Sequence, residues 1–344
     1  MRRPPTPQEV DSVSDAESIQ ETPKSKKAAK AFDPSVITRD IEKLLDYSTF
    51  EPQHRYWLDT GSPELNAVLG SEEKGIPYGK QYEISGAEHG GKTALALVLG
   101  GMAQREGAIM GRIDLEDSRD PVWDQKLGVD TSQVINIYPK LVNVKPKKDK
   151  GSKKEEKQDL TIPVLQSAEM LFTEAEVAMA RVAAKGYDKQ FWFLDSIANI
   201  QTEMAIEAGN TDWNMRVGFD RALVLSRVLP RWAGLAANYN ASIFLLNQLR
   251  IKGGVVFGDP FDSPGGKALR HNCAIRARVR RCKNGEIKRG NRVVGLVSVI
   301  KNIKNKAGGG SVQSMECGMR IYWRHDPAEI QFMSKEDAEA LLKV

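Results

Sequence analysis

From about residue 57 onward, short apolar runs alternate with segments of helical spacing. The runs are Gln81–Ile84, Gly111–Leu115, Val134–Tyr138, Phe191–Leu194, Ser242–Leu246, Ala274–Val279 and Val293–Ile300. Most of the early runs are apolar at successive positions rather than at every second one, as strands covered on both faces are. The pattern predicts an α/β core: a mostly parallel twisted sheet flanked by helices. One run reads differently. Arg276, Arg278 and Arg280 alternate with Ile275, Ala277 and Val279, which gives a strand one cationic and one apolar face.

Outside this core the pattern fades. Residues 1–32 are rich in Pro, Ser, Lys and Glu with few large apolar side chains, the composition of a disordered tail. Asp33-Pro34 then reads as an N-cap with Pro at the first helical position, and Val36, Ile37, Ile41, Leu44 and Leu45 follow at helical spacing. This predicts a helix and linker over 33–56, a core over 57–325 and a short C-terminal segment over 326–344. A lysine-rich low-complexity insertion interrupts the core near 145–158.

The candidate chemistry begins at Gly86-Ala87-Glu88-His89-Gly90-Gly91-Lys92-Thr93, between one apolar run and the helical segment that starts at Ala94. A glycine-rich turn leading into a helix points several backbone N–H groups at one place, at the positive end of the helix dipole. In this pattern the lysine reaches the β- and γ-phosphates and the hydroxyl ligates Mg²⁺, roles that fall to Lys92 and Thr93. A second apolar strand ending in Asp195 is the expected partner for the metal. Glu116, at the end of Arg112–Asp117, is the candidate base. Gln248 ends a further strand and can report a γ-phosphate by hydrogen bonding. ATP and Mg²⁺ are therefore the expected cofactors.

Overall composition, 41% apolar and 28% charged, is that of a soluble globular protein, and no apolar stretch is long enough to predict a membrane span. The three cysteines form no CxxC pair, which suits reduced thiols in a cytoplasmic protein. Charge changes the picture more. Between Arg250 and Lys306 there are 15 Lys or Arg against 3 acidic residues, so this region carries +12 and the remainder −7 of the net +5. A basic region on an otherwise acidic chain predicts a polyanion partner. Within it, Gly253-Gly254 and Gly265-Gly266 bracket a loop holding Phe257, an aromatic able to stack on bases. Arg250, Lys252, Lys267 and Arg270 surround that loop as phosphate contacts. Arg280 and Arg281 are candidates for a secondary surface that captures duplex DNA.

These motifs, in this order from Trp57 to Gly310, resemble the RecA-type DNA recombinases. The strings concerned are TGSPELNAVLG (60–70), IDLEDSRDPVWDQKLGVD (113–130), NQLRIKGGVVFGDPFDSPGGKALRHN (247–272) and KNKAGG (304–309). The short C-terminal part and the N-terminal helix resemble phage recombinases of the UvsX kind. The resemblance implies a homo-oligomeric helical filament on single-stranded DNA that promotes pairing and strand exchange, in a bacterial or phage-infected cytoplasm. It assigns Glu116 as water activator, Asp120 as adenine partner and Trp123 as the ring beside the base. Phe257, Gly265, Gly266 and Lys267 fall in the second DNA loop, and Lys304 and Lys306 reach a neighbour's nucleotide. Residues 33–56 are expected to dock on an adjacent subunit, and a single-strand-binding protein or loading mediator is a further expected partner. Lys267 stands where the family usually has Asn. A ring helicase motor of the same fold, or a non-catalytic ATP-binding accessory, are the competing readings.

Overall fold

The computed structural model describes residues 56–144, 162–208, 215–251, 261–262, 264–307 and 315–342, all within the unit Pro52–Val344. The tail over 1–32, the helix and linker up to residue 55, the 145–158 insertion, Lys252 and Phe257 lie outside the described residues.

Each of the apolar runs becomes a strand of one sheet. In chain order these are β1 (Gln81–Gly86), β2 (Ile109–Asp114), β3 (Val134–Ile137), β4 (Gln190–Asp195), β5 (Ala241–Gln248), β6 (Ile275–Arg289) and β7 (Arg292–Asn305). Two more follow, β8 (Glu316–Tyr322) and β9 (Glu329–Ser334), and the nine-stranded order is β9-β8-β7-β6-β1-β5-β4-β2-β3. The six strands from β6 to β3 are parallel, and β7, β8 and β9 extend the sheet antiparallel from β6. The expected mostly parallel α/β sheet is thus the observed one.

Its two faces explain the unbroken apolar runs. Phe191 and Phe193 of β4 and Phe244 and Leu246 of β5 pack on one face, in a core shared with α1 (Pro63–Leu69) and α2 (Lys92–Arg105). Trp192, Leu194, Ile243 and Leu245, the alternate residues, enter a second core. This core is shared with α4 (Ala168–Ala184), α6 (Met215–Tyr239) and α7 (Gly266–Asn272); the other α-helices among the described residues are α3 (Pro121–Lys126), α5 (Glu203–Ala208) and α8 (Lys335–Ala340). Side chains alternate along a strand, so a strand covered twice is apolar at every position. Across the first face, Tyr82 stacks on Phe244 at 4.2 Å between ring centres, and Phe191 stacks on Phe244 at 4.8 Å.

The C-terminal part belongs to the same sheet. β9 is the outer edge strand, and α8 packs through Ala338 against Cys282, Val297 and Val299. β9 is half-buried and carries Glu329 and Gln331 among its apolar residues, as suits a strand at an edge. That polarity hides it from a search for apolar runs.

α2 is buried on nearly all sides and sits tightly on its neighbours. A Cβ on Gly101 would lie 2.4 Å from the carbonyl oxygen of Gly128, whereas one on Gly100 would meet the Cε of Met110 at 2.5 Å. A backbone carbonyl cannot yield as a methionine tip can. Glycine to alanine in a helix interior ordinarily stabilises by about 1 kcal/mol. Here Gly101→Ala should destabilise by about 1–3 kcal/mol, the usual cost of overpacking, and Gly100→Ala should be close to neutral. Urea unfolding of both variants checks this; equal midpoints would contradict it.

Candidate functional site

The candidate residues converge because parallel strands β1, β2, β4 and β5 end at the same edge of the sheet. In register, Asp114 lies beside Asp195 and Gly86 beside Gln248. After β1 the chain turns through Ala87–Gly91, with Gly91 at φ +94° as the N-cap of α2. That left-handed conformation is open to glycine at little cost. The turn is braced from β7, where Ser298 Oγ donates to the Gly90 carbonyl at 2.8 Å.

Lys92, the first residue of α2, folds back over this turn, donating to the carbonyls of Gly86 at 3.1 Å and Ala87 at 2.8 Å. Burial pulls its ammonium below its ordinary pKa, while the charges of Asp195, Glu116 and Glu88 act in the opposite direction. Thr93 Oγ1 donates to Asp195 Oδ2 at 2.7 Å. Asp195 is 3% exposed, and burial lifts its carboxyl to a pKa of about 6, assisted by the nearby charges of Glu116 and Asp114. The hydroxyl–carboxylate pair over the turn fits the donor set that Mg²⁺ takes alongside phosphate oxygens.

Glu116 stands next to this pair. Asp114 Oδ1 accepts the backbone N–H groups of Glu116 at 3.1 Å and Ser118 at 3.3 Å, which shapes the loop beyond β2. Ser196 Oγ donates to Glu116 Oε1 at 2.5 Å, so the exposed carboxylate is oriented from the neighbouring strand. Glu116, Lys92, Thr93, Asp195 and Gln248 all line one cleft of about 820 Å³, together with Glu88, His89, Gly90, Gly91 and Ala94. The sequence pattern alone does not single out Ser196, although it directly follows Asp195.

Trp123 and Trp323 also line the cleft and meet edge to face, with ring centres 5.6 Å apart. The buried ion pair of Arg112 with Asp124, 2.7 Å, anchors the helix that carries Trp123. Asp120 caps that helix, its Oδ1 accepting from Val122 N at 3.0 Å and Trp123 N at 3.2 Å. Trp323 follows β8, far from Trp123 in the chain, and nothing local in the sequence marks it. Arg281 and Glu286 also line the cleft.

The remaining candidates lie elsewhere. Gly265, Gly266, Lys267 and Arg270 form the loop end and first turns of α7. This segment is tied to the cleft through Asn247, the neighbour of Gln248: its Nδ2 donates to Pro264 O at 2.8 Å and to buried Glu83 Oε1 at 3.1 Å. Glu83 also pairs with Arg276, so part of the arginine face of β6 is spent inside the protein. Arg250 begins a short strand, Arg250–Ile251, paired with Phe261–Asp262. Lys304 does not point to the cleft of its own chain. Its Nζ donates to the carbonyls of Arg270 and Cys273, each at 2.6 Å, at the C-terminal end of α7. Burial, and then the charge of Lys306, lower its pKa. Lys306 itself is exposed. Arg280 is exposed, 3.9 Å from Glu339.

The family described as RecA N-terminal domain matches residues 43–143 and 174–318. The RecA protein of Rhodopirellula baltica is 33% identical over 249 residues, covering 72% of this chain and 56% of that protein. The RecA protein of Caldanaerobacter subterraneus subsp. tengcongensis is 33% identical over 249 residues, covering 72% of this chain and 62% of that protein. The chain thus spans less than two thirds of the length of both relatives.

The raised pKa of Asp195 has a definite sign. An aspartate that titrates at 3.8 when unfolded and at about 6 when folded binds its proton more tightly in the folded state. Its contribution favours folding below the lower value and is lost as pH rises through the upper one, a change of about 3 kcal/mol. Asp195→Asn should therefore raise stability at about pH 8 and give no such gain at about pH 4, measured by urea unfolding without nucleotide or Mg²⁺. An equal shift at both pH values would show that burial does not raise the pKa of this carboxylate.

Proposed function

This chain belongs to the RecA family, and from that premise we propose that it is an ATP-dependent DNA recombination protein. In this reading it assembles as a helical filament on single-stranded DNA and promotes pairing and strand exchange with homologous duplex DNA. It works in the cytoplasm, aided by a single-strand-binding protein or a loading mediator. Among the described residues no helix is long and apolar enough to cross a membrane.

The observation that carries the proposal is the pair of bonds Thr93–Asp195 and Ser196–Glu116, which set two carboxylates with different environments over one phosphate loop. Buried Asp195 suits metal support, and exposed Glu116 suits a base facing water. Thr93 and Asp195 would hold Mg²⁺, which supplies neutralisation of phosphate charge. Lys92 and the N–H groups opening α2 bind the phosphates, Trp123 and Trp323 enclose the base, and Glu116 orients the attacking water. Gln248 senses the γ-phosphate, and its neighbour Asn247 is bonded to Pro264, at the foot of the proposed DNA loop. Lys267 and Arg270 there supply phosphate contacts, whose strength falls with salt. Lys304 and Lys306 act on a neighbouring subunit's nucleotide, which requires Lys304 to leave its carbonyls in α7.

Strand exchange between homologous single-stranded and duplex DNA, with ATP and Mg²⁺, tests this directly. The wild type should exchange strands and Lys92→Ala should not. Glu116→Gln should keep ATP binding while hydrolysis slows by about 10²–10⁴-fold. DNA-stimulated hydrolysis without exchange would favour a helicase-like motor, and ATP binding without turnover would favour an accessory role.

A further inference from the structure

The β6–β7 hairpin breaks its register beside the phosphate loop. Arg281 pairs with Ser298, and the next paired residue on β6 is Glu286, opposite Leu296, so residues 282–285 bulge out. Bulges turn side chains in new directions and are over-represented next to active sites. Both flanks of this one rest on the phosphate loop: Ser298 donates to the Gly90 carbonyl, and Leu296 lies 3.5 Å from where a Cβ on Gly91 would stand. Arg281 and Glu286 line the cleft along with Gly90, Gly91 and Lys92. Arg280, one residue earlier, lies near Glu339 of α8. Adjacent strand residues point to opposite faces, so the two arginines serve different surfaces.

Arg281 Nη1 donates to Glu286 Oε1 at 2.9 Å, and Lys288 Nζ lies 3.0 Å from Glu286 Oε2. The Arg281 side chain is 43% exposed and that of Glu286 33%. Exposed pairs of this kind are weak. Lys288 also keeps Glu286 compensated if Arg281 leaves. Lys92, the other Lys or Arg lining the cleft among the described residues, already turns its ammonium to two loop carbonyls. A fully ionised nucleoside triphosphate carries more negative charge than one ammonium and one Mg²⁺ together balance, and a guanidinium binds phosphate oxygens in pairs.

We propose that Arg281 is a phosphate-binding residue of the nucleotide cleft, exchanging Glu286 for the nucleotide's phosphates. The proposal rests on the nucleotide-site reading above and adds a cation from the bulge in the same chain. It also removes Arg281 from the duplex-capture surface and leaves Arg280 there.

Calorimetric titration of the full chain with ATPγS and, separately, adenosine, in Mg²⁺ and without DNA, tests it. Arg281→Ala should weaken ATPγS binding by roughly 10- to 100-fold, the usual value of a charge-assisted bond, and leave adenosine binding unchanged. Glu286→Gln should tighten ATPγS binding several-fold by freeing the guanidinium. Unchanged ATPγS affinity in Arg281→Ala, or equal weakening of ATPγS and adenosine, overturns the proposal. If Arg281→Ala fails to fold, Glu286→Gln decides: no change in ATPγS affinity overturns the proposal as well. A wild type that binds neither compound overturns the nucleotide-site reading itself, a result distinct from the others.

Discussion

Parallel pairing around β1 is the constraint on which this molecule depends. A parallel strand must be joined to its neighbour by a crossover, and the crossovers cover both faces of the sheet. Polar side chains then have few places to go except the carboxyl edge, where loops leave the strands. Here β1, β2, β4 and β5 end together, so Gly86, Asp114, Asp195 and Gln248 become neighbours although long stretches of chain separate them. α2 starts at that edge, and its burial on nearly all sides fixes where its first N–H groups point.

The same burial makes the site costly. Asp195 is held among Asp114, Glu116 and apolar strands, with Thr93 as its hydrogen-bond partner, and its raised pKa measures the penalty for ionising it there. Lys92 is likewise penalised by burial. Opposite charges brought into one partly dry cleft suit a ligand carrying both a phosphate chain and a cation. Functional sites commonly retain such local instability because the residues that would relieve it would remove the chemistry.

The antiparallel extension of the sheet does a second job. β7 braces the phosphate loop through Ser298, the bulge of β6 brings Arg281 and Glu286 to the cleft, and the turn after β8 brings Trp323 against Trp123. On its other side the same hairpin supplies Lys304, whose ammonium closes the C-terminal end of α7. The cleft and the segment at α7 are thus joined through one pair of strands and through Asn247.

Much of this was legible in the amino-acid order because it depends on local chemistry. Apolar runs mark the strands from β1 to β7, and a glycine-rich turn before a helix marks the phosphate loop whatever surrounds it. Asp195 and Glu116 could be proposed because the first ends an apolar strand and the second closely follows one. The edge strand β9 could not be seen, since half-buried strands carry polar residues that read as loop. Nor could Trp323, or the division of Arg280 from Arg281, which turns on strand alternation and a bulge. The basic count between Arg250 and Lys306 is a property of the sequence alone. Which of those charges face solvent, which pair with Glu83 and which cap a helix was decided only by tertiary packing, because a long cationic side chain takes the nearest acceptor that folding brings to it.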